Sequence, residues 1–254
     1  HMEPRTVHDR SLDRNTVPPA GKAPEVQVPD YWEGEWTNGI QLIGTKTEEI
    51  PAVSLRLELH GGQLYDPPGK SGLGSLTAAL LNEATEDHSA PEMAAELEKL
   101  GSSISISSGE QSTVVSLWSL TKNLAPTLDL LEEKLFRSAF AQEDFERLKK
   151  QAIESTKARE QQPQGMASLA FNTLLHGQGH ILTPPSSGWP ETLEAITLDD
   201  IKAHYNTYYV PDHAELVVVG DLDRPTAEGM LGFLRKWKPK GIAKVDIPDL
   251  PEVQ

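Results

Sequence analysis

The sequence predicts an α+β domain, an antiparallel sheet of about five or six strands with helices covering mainly one face. Three observations carry that expectation. Short stretches alternate apolar and polar residues, as with Leu55, Leu57 and Leu59 against Arg56, Glu58 and His60, which is the period of a half-buried strand. Longer stretches repeat leucine at helical spacing, as at Leu124, Leu128, Leu131 and Leu135. Start and stop residues separate the two kinds, with capping boxes opening at Ser89 and Thr197 and a turn at Asn38-Gly39.

Residues 1–30 read as a linker or tag: His1-Met2 looks like a cloning remnant, and the Pro-, Asp- and Arg-rich stretch after it shows no apolar period. His8 within it reads as solvated. The folded unit is expected over 31–236. It begins with a hairpin, Trp32 to Trp36, a two-residue turn at Asn38-Gly39 and a return from Ile40 to Thr45. A strand follows from Ala52 to His60, ended by Gly61-Gly62. Gly69 and Gly72 punctuate the entry to a helix in which Leu73, Leu76, Leu80 and Leu81 form one apolar face. Ser89 and Glu92 bracket the start of the next helix, and Gly101 stops it.

Ile104 and Ile106 alternate with serines in a strand, and Thr113 to Leu120 returns beside it. The leucine stripe from Leu124 to Leu135 makes a further helix. A long polar helix spans Ala141 to Gln161, and a second runs from Gly165 to Leu175. Another opens at Thr197. Glu215 to Asp221 is an apolar strand with a turn, and Pro225 to Lys236 a closing helix. Residues 237–254, with Pro239, Gly241, Pro248 and Pro251, read as an outgoing linker.

Composition narrows the partners. The 254 residues are ample for a core, and 37% hydrophobic with 24% charged residues indicates a soluble globular chain. A net charge of −15 disfavours nucleic acid and anionic membranes, whose phosphates would be repelled. No Cys is present, so thiolate chemistry and disulfides are excluded. No apolar run approaches a membrane span. GKSGLG lacks the order of a phosphate loop, and no G-x-S-x-G elbow occurs.

Two His-containing clusters invite a metal reading and are read otherwise. Glu83, Glu86, Asp87 and His88 form a polar turn between helices. His176 and His180 are four apart, but the glycines between them break the helix that would make them converge. His60, at a strand end, reads as solvated. Trp189, Tyr205, Tyr208 and Tyr209 read as core and interface.

The stretch GLGSLTAALLNEAT resembles the active-site helix of the pitrilysin/insulinase-type zinc peptidases, the inverzincins, whose pattern is H-x-x-E-H. Further pieces match in order from Asn38 to Arg235, among them SAPEMAAELEKLGSSISISSG and YYVPDHAELVVVGDLD. On that pattern Ser75 takes the first His, Ala78 the Glu and Ala79 the second His. The family's third ligand, a downstream Glu, falls at or near Ser155; the adjacent Glu154 would point about 100° away on a helix. Ser75, Ala78, Ala79 and Ser155 carry no imidazole or carboxylate to serve as zinc ligand or general base, and Glu154 is a poor substitute.

The resemblance therefore implies the family's ferredoxin-like sheet arrangement without its chemistry. It implies a non-catalytic domain forming part of a peptide-enclosing chamber, with no catalytic, cofactor or metal residue of its own and zinc only in a partner catalytic domain. The implied partners are catalytic and C-terminal domains of the same fold, in this chain or another subunit, and a peptide substrate. Two other readings stay open: an interaction scaffold derived from the fold, and an active metallopeptidase with an unrecognised site. The compartment is not legible; for a bacterial source, a periplasmic fragment of a larger exported protein would fit.

Overall fold

The alternating stretches become the strands of a single sheet in the computed structural model, which describes residues 29–177 and 179–245 together with Gly21 and Ile247. Most of the expected leading linker, His8 included, and the end of the expected outgoing linker lie outside the described residues. The strands are β1 (Trp32–Glu35), β2 (Gln41–Lys46), β3 (Ala52–His60), β4 (Ser103–Ser108), β5 (Ser112–Leu120) and β6 (Glu215–Gly220). Their order across the sheet is β1-β2-β6-β3-β5-β4.

The sheet is mixed, which corrects the expectation of an antiparallel one. β6 inserts between β2 and β3, running antiparallel to β3 but parallel to β2, with Leu42 opposite Leu216 and Thr45 opposite Val219. Alternation marks a strand and its buried face; it carries no information on the direction of a neighbour distant in sequence. The first turn also differs. Trp36 N–H donates to Ile40 O and Gly39 N–H to Trp36 O, both at 2.9 Å, closing a three-residue loop with Gly39 at φ 94°. Asn38 serves another purpose there: its amide donates to Leu234 O at 2.8 Å and Trp237 O at 3.1 Å, fastening the hairpin to the last helical turn.

The helices are α1 (Leu73–Leu81), α2 (Ala90–Leu100), α3 (Leu124–Phe136), α4 (Gln142–Glu160), α5 (Pro163–His176), α6 (Pro190–Ala195), α7 (Leu198–Tyr208), α8 (Arg224–Met230) and α9 (Gly232–Arg235). The expected capping boxes open α2 and α7. The single closing helix is instead α8 and α9, interrupted at Leu231, and α6 is an element the sequence reading missed.

One sheet face is buried. Val53, Leu55, Leu57 and Leu59 of β3, Val115 and Leu117 of β5, and Leu216 and Val218 of β6 pack with Leu124, Leu128, Leu131 and Leu135 of α3. A second cluster joins Leu73, Leu76 and Leu80 of α1 to Phe145, Leu193, Ile196 and Ile201. On the opposite sheet face Ser54, Arg56, Trp118 and Val219 are exposed. Residues 237–245, expected as a linker, are held against the body. Trp237 packs edge-on to Phe136, the Asp212 carboxylate accepts from Lys240, Gly241 and Ile242 N–H, and Val245 N–H donates to Tyr65 Oη at 3.1 Å.

Candidate functional site

The site is built at the N-terminal half of α1. Gly72, at φ 97°, turns the chain into the helix. A helix start leaves backbone N–H groups without partners. Asp66 supplies them, its two carboxylate oxygens accepting from Gly72 N–H at 2.8 Å and Gly74 N–H at 2.9 Å. Burial pushes the Asp66 carboxyl up to about 7, against the pull of the Gly74, Gly72 and Leu73 N–H groups. Asp66 stands six residues before the N-cap, outside the spacing of a capping box, so local reading could not find it. In Asp66→Asn one acceptor becomes an amide NH2, a donor facing a backbone donor. The expected loss is about 1–3 kcal/mol, read from urea denaturation.

Along α1, Ser75 is half-buried, Ala78 is fully buried and Ala79 half-buried. An open cavity over all three, as the loss of a metal site would suggest, is not what the structure holds. Ala78 belongs to the main core, and Ser75 Oγ donates to Ser186 O at 2.9 Å. The segment leading into α6 is laid over this end of the helix. Gln63 Nε2 donates to Ile181 O at 2.8 Å and Pro184 O at 2.6 Å, Thr192 Oγ1 to Ser71 O at 2.8 Å, and Arg159 of α4 to Ser187 Oγ at 2.9 Å. The backbones at Gly72 and Gly188 touch: a Cβ on Gly188 would lie 2.3 Å from Ser71 O.

On α4, Ser155 is exposed and Thr156 is the buried neighbour, so the inward-facing position lies one residue beyond Ser155. Glu154 is exposed, with Lys150 at 4.0 Å. A tetrahedral zinc site needs imidazole, thiolate or carboxylate donors that converge. Here the candidate positions offer a hydroxyl already donating to a carbonyl, two methyl groups and a solvated serine. They do not fit zinc. Among the described residues no group of three or more His, Asp or Glu is placed to hold a metal.

Comparison with known proteins identifies the family. The model of insulinase, peptidase family M16, matches residues 43–180, more than half of the chain. The chain belongs to peptidase family M16. The model of the M16 inactive domain matches residues 195–253. A solved M16 inactive domain from Pseudomonas fluorescens is 27% identical with a TM-score of 0.81, over 87% of this chain and 54% of that one. The uncharacterized zinc protease YmxG of Bacillus subtilis is 21% identical over 79% of this chain and 48% of its own length. The non-peptidase homolog YmxG of Helicobacter pylori is 24% identical over 80% of this chain and 47% of its own. The chain thus spans about half the length of the curated relatives it matches.

The other His clusters of this M16 chain have local partners. His88 Nδ1 lies 2.8 Å from a Glu133 oxygen, with Thr85 bonded to the same carboxylate, and Asp87 pairs with Arg137. Glu83 pairs with Arg147 at 2.8 Å. The His176 and His180 rings stack with centroids 5.2 Å apart. His60 stands edge-on to His213 at 5.6 Å, and burial lowers its pKa. Tyr205 Oη donates to Leu135 O at 2.5 Å, and Tyr209 is buried in the core.

The hydrogen bond to Glu133 raises the His88 pKa, so its contribution to stability is present below the ordinary imidazole value and is lost as pH rises through the folded-state value. Asp66 has the same sign. A carboxyl raised on folding holds its proton longer in the native state, and stability declines from about pH 4 to about pH 7. Buried His204, pushed down to about 4 by desolvation, has the opposite sign, so the decline is read as a difference: the thermal midpoint of the unaltered chain relative to Asp66→Asn is expected to fall between about pH 4 and about pH 7. A difference that rises over that interval would contradict the Asp66 assignment.

Proposed function

We propose that this chain is a non-catalytic, peptidase-like M16 unit that forms part of the wall of a peptide-enclosing chamber and supports a catalytic unit elsewhere. The observation that carries the reading is the α1 face itself: Ser75 is bonded to Ser186 O and Ala78 is core, where a peptidase needs ligands and a base. The fold is otherwise kept intact, with caps and leucine stripes in place. A domain that keeps its shape without the chemistry is most simply explained by a surface role. The inactive-domain match and the H. pylori non-peptidase homologue support the same reading. So does the solved ferredoxin protease FusC in complex with Arabidopsis ferredoxin, which shares the fold at a TM-score of 0.74 and 18% identity and of which this chain covers a quarter (25%). The acidic balance of −15 would give such a wall a field favouring basic peptides.

The test is reconstitution. A catalytic M16 unit from the same source, assayed on an unstructured peptide, is expected to lose most of its kcat/KM when this chain is left out. The chain alone is expected to bring less than stoichiometric zinc through dialysis and to hydrolyse nothing. Tightly held zinc at one per chain, by elemental analysis, would overturn the pseudo-peptidase reading. Equal kcat/KM with and without the chain would leave only the scaffold reading.

A further inference from the structure

The two edges of the sheet are protected in different ways. β1 and β4 are its outer strands. An edge strand presents unpaired N–H and C=O groups that can pair with another chain, and folded proteins blunt such edges by shortness, charge, proline or bulges. β1 uses two of these devices: it has four residues, and Glu33 and Glu35 are exposed on it. β4, with the sequence SISISS, uses none. It carries no charge and no proline, and it pairs with β5 without a bulge, from Ser103 opposite Trp118 to Ser108 opposite Thr113.

The turn between β4 and β5 fixes which groups of β4 face outward. Gly109 N–H donates to Ser112 O at 2.9 Å, and hydrogen-bonded pairs then recur at every second residue. The backbone groups of Ser103, Ser105 and Ser107 therefore turn to β5, and those of Ile104, Ile106 and Ser108 turn to the outer edge. At the middle one of these three, both groups are taken by a single side chain. Ile106 N–H donates to Asn82 Oδ1 at 3.0 Å, and Asn82 Nδ2 donates to Ile106 O at 2.7 Å. A carboxamide has the donor and the acceptor of a peptide group, so Asn82 stands where a residue of a further strand would stand.

Asn82 is held in place from two sides. It is the C-cap of α1, where its Nδ2 also donates to Ala78 O at 2.9 Å, and its own carbonyl accepts from Lys134 Nζ of α3 at 2.8 Å. Lys134 is 2% exposed, a buried cation at a helix C-terminus, where positive charge is favourable. A strand arriving at β4 would therefore have to break both bonds to Ile106 while the helix end that carries Asn82 stays fixed. We infer that Asn82 is an edge guard: its carboxamide fills the two backbone positions at Ile106 and keeps an extended strand of another chain from pairing with β4. This inference rests on the sheet edge and does not depend on the chamber reading.

The experiment uses the whole chain and a fluorescent peptide, the β4 sequence SISISS flanked by lysines, with binding read by anisotropy. Asn82→Leu is close in volume but cannot bond Ile106, and circular dichroism checks that it folds. It is expected to bind the peptide about tenfold or more tightly than the unaltered chain does. Adding Ile104→Pro removes one outward N–H and no bond to β5, a place where an edge strand tolerates proline, and should abolish the gain. A second measurement needs no substitution. In the unaltered chain the Ile106 amide should exchange with deuterium roughly tenfold or more slowly than the Ile104 amide. Equal exchange at the two amides, equal peptide affinity with and without Asn82→Leu, or a gain that survives Ile104→Pro would overturn the inference. Peptidase activity plays no part in these readouts, so this inference and the chamber reading fail separately.

Discussion

Ala78→Glu is expected to cost about 3–5 kcal/mol of folding stability, because it buries a carboxylate with no partner. Ala78 is 1% exposed and packs among Leu57, Leu81 and the other residues of the main core. Chemical denaturation should show the full loss near neutral pH and a smaller one in acid, where the carboxyl is neutral. Ala79→His, on the half-buried neighbouring position, should cost about 1 kcal/mol or less, since an imidazole there can lean toward solvent. Placing His, Glu and His together at 75, 78 and 79, the positions the resemblance implies, is expected to produce an unstable chain that binds no zinc. Ser75→His must also displace the segment at Ser186. A stable Ala78→Glu protein would mean that this position opens toward solvent and that the core assignment is wrong.

Gly188→Ala is expected to lower stability by about 3 kcal/mol or more. Two costs add. At φ 80° an L side chain is in the left-handed region, which alone costs roughly 1–2 kcal/mol. The new methyl would also lie 2.3 Å from Ser71 O, 3.0 Å from Ser71 C and 3.1 Å from Gly72 Cα, all backbone atoms that cannot rotate away. Gly69→Ala is the matched control. Gly69 has a similar φ of 77°, but nothing lies within 4 Å of the added methyl, so only the conformational cost remains. Equal losses in the two variants would show that the segment over α1 yields without penalty. A larger loss at Gly188 measures how firmly that segment closes the site.

Much of the fold was legible because it is written in local signals. The capping boxes at Ser89 and Thr197, the stop at Gly101 and the leucine stripe of α3 depend on neighbours within a few residues, and all stand where the sequence places them. The residue types at Ser75, Ala78 and Ala79 are read directly from the sequence. What surrounds those positions is not. Asp66 caps α1 from outside the capping-box spacing, and Ser186 reaches Ser75 across a separation of 111 residues. Which residue of α4 faces inward, Thr156, was not legible because that helix is polar on nearly every side, which leaves little apolar stripe to fix its rotation. The parallel pairing of β2 with β6 escaped for a related reason: direction is set by how the intervening chain returns.

That pairing has a consequence for synthesis. β6 lies between β2 and β3, bonding to both, yet it is made after nearly all of the folded unit. A nascent chain that has emerged only through α7 carries the β1–β2 hairpin and the β3–β5–β4 ribbon as two separate pieces, each with an open edge where β6 belongs. Open edges invite pairing with other chains, and contacts between distant segments form slowly. The protein therefore passes through a vulnerable stage on the ribosome that ends only when Glu215–Gly220 clears the exit tunnel and joins the two pieces into one.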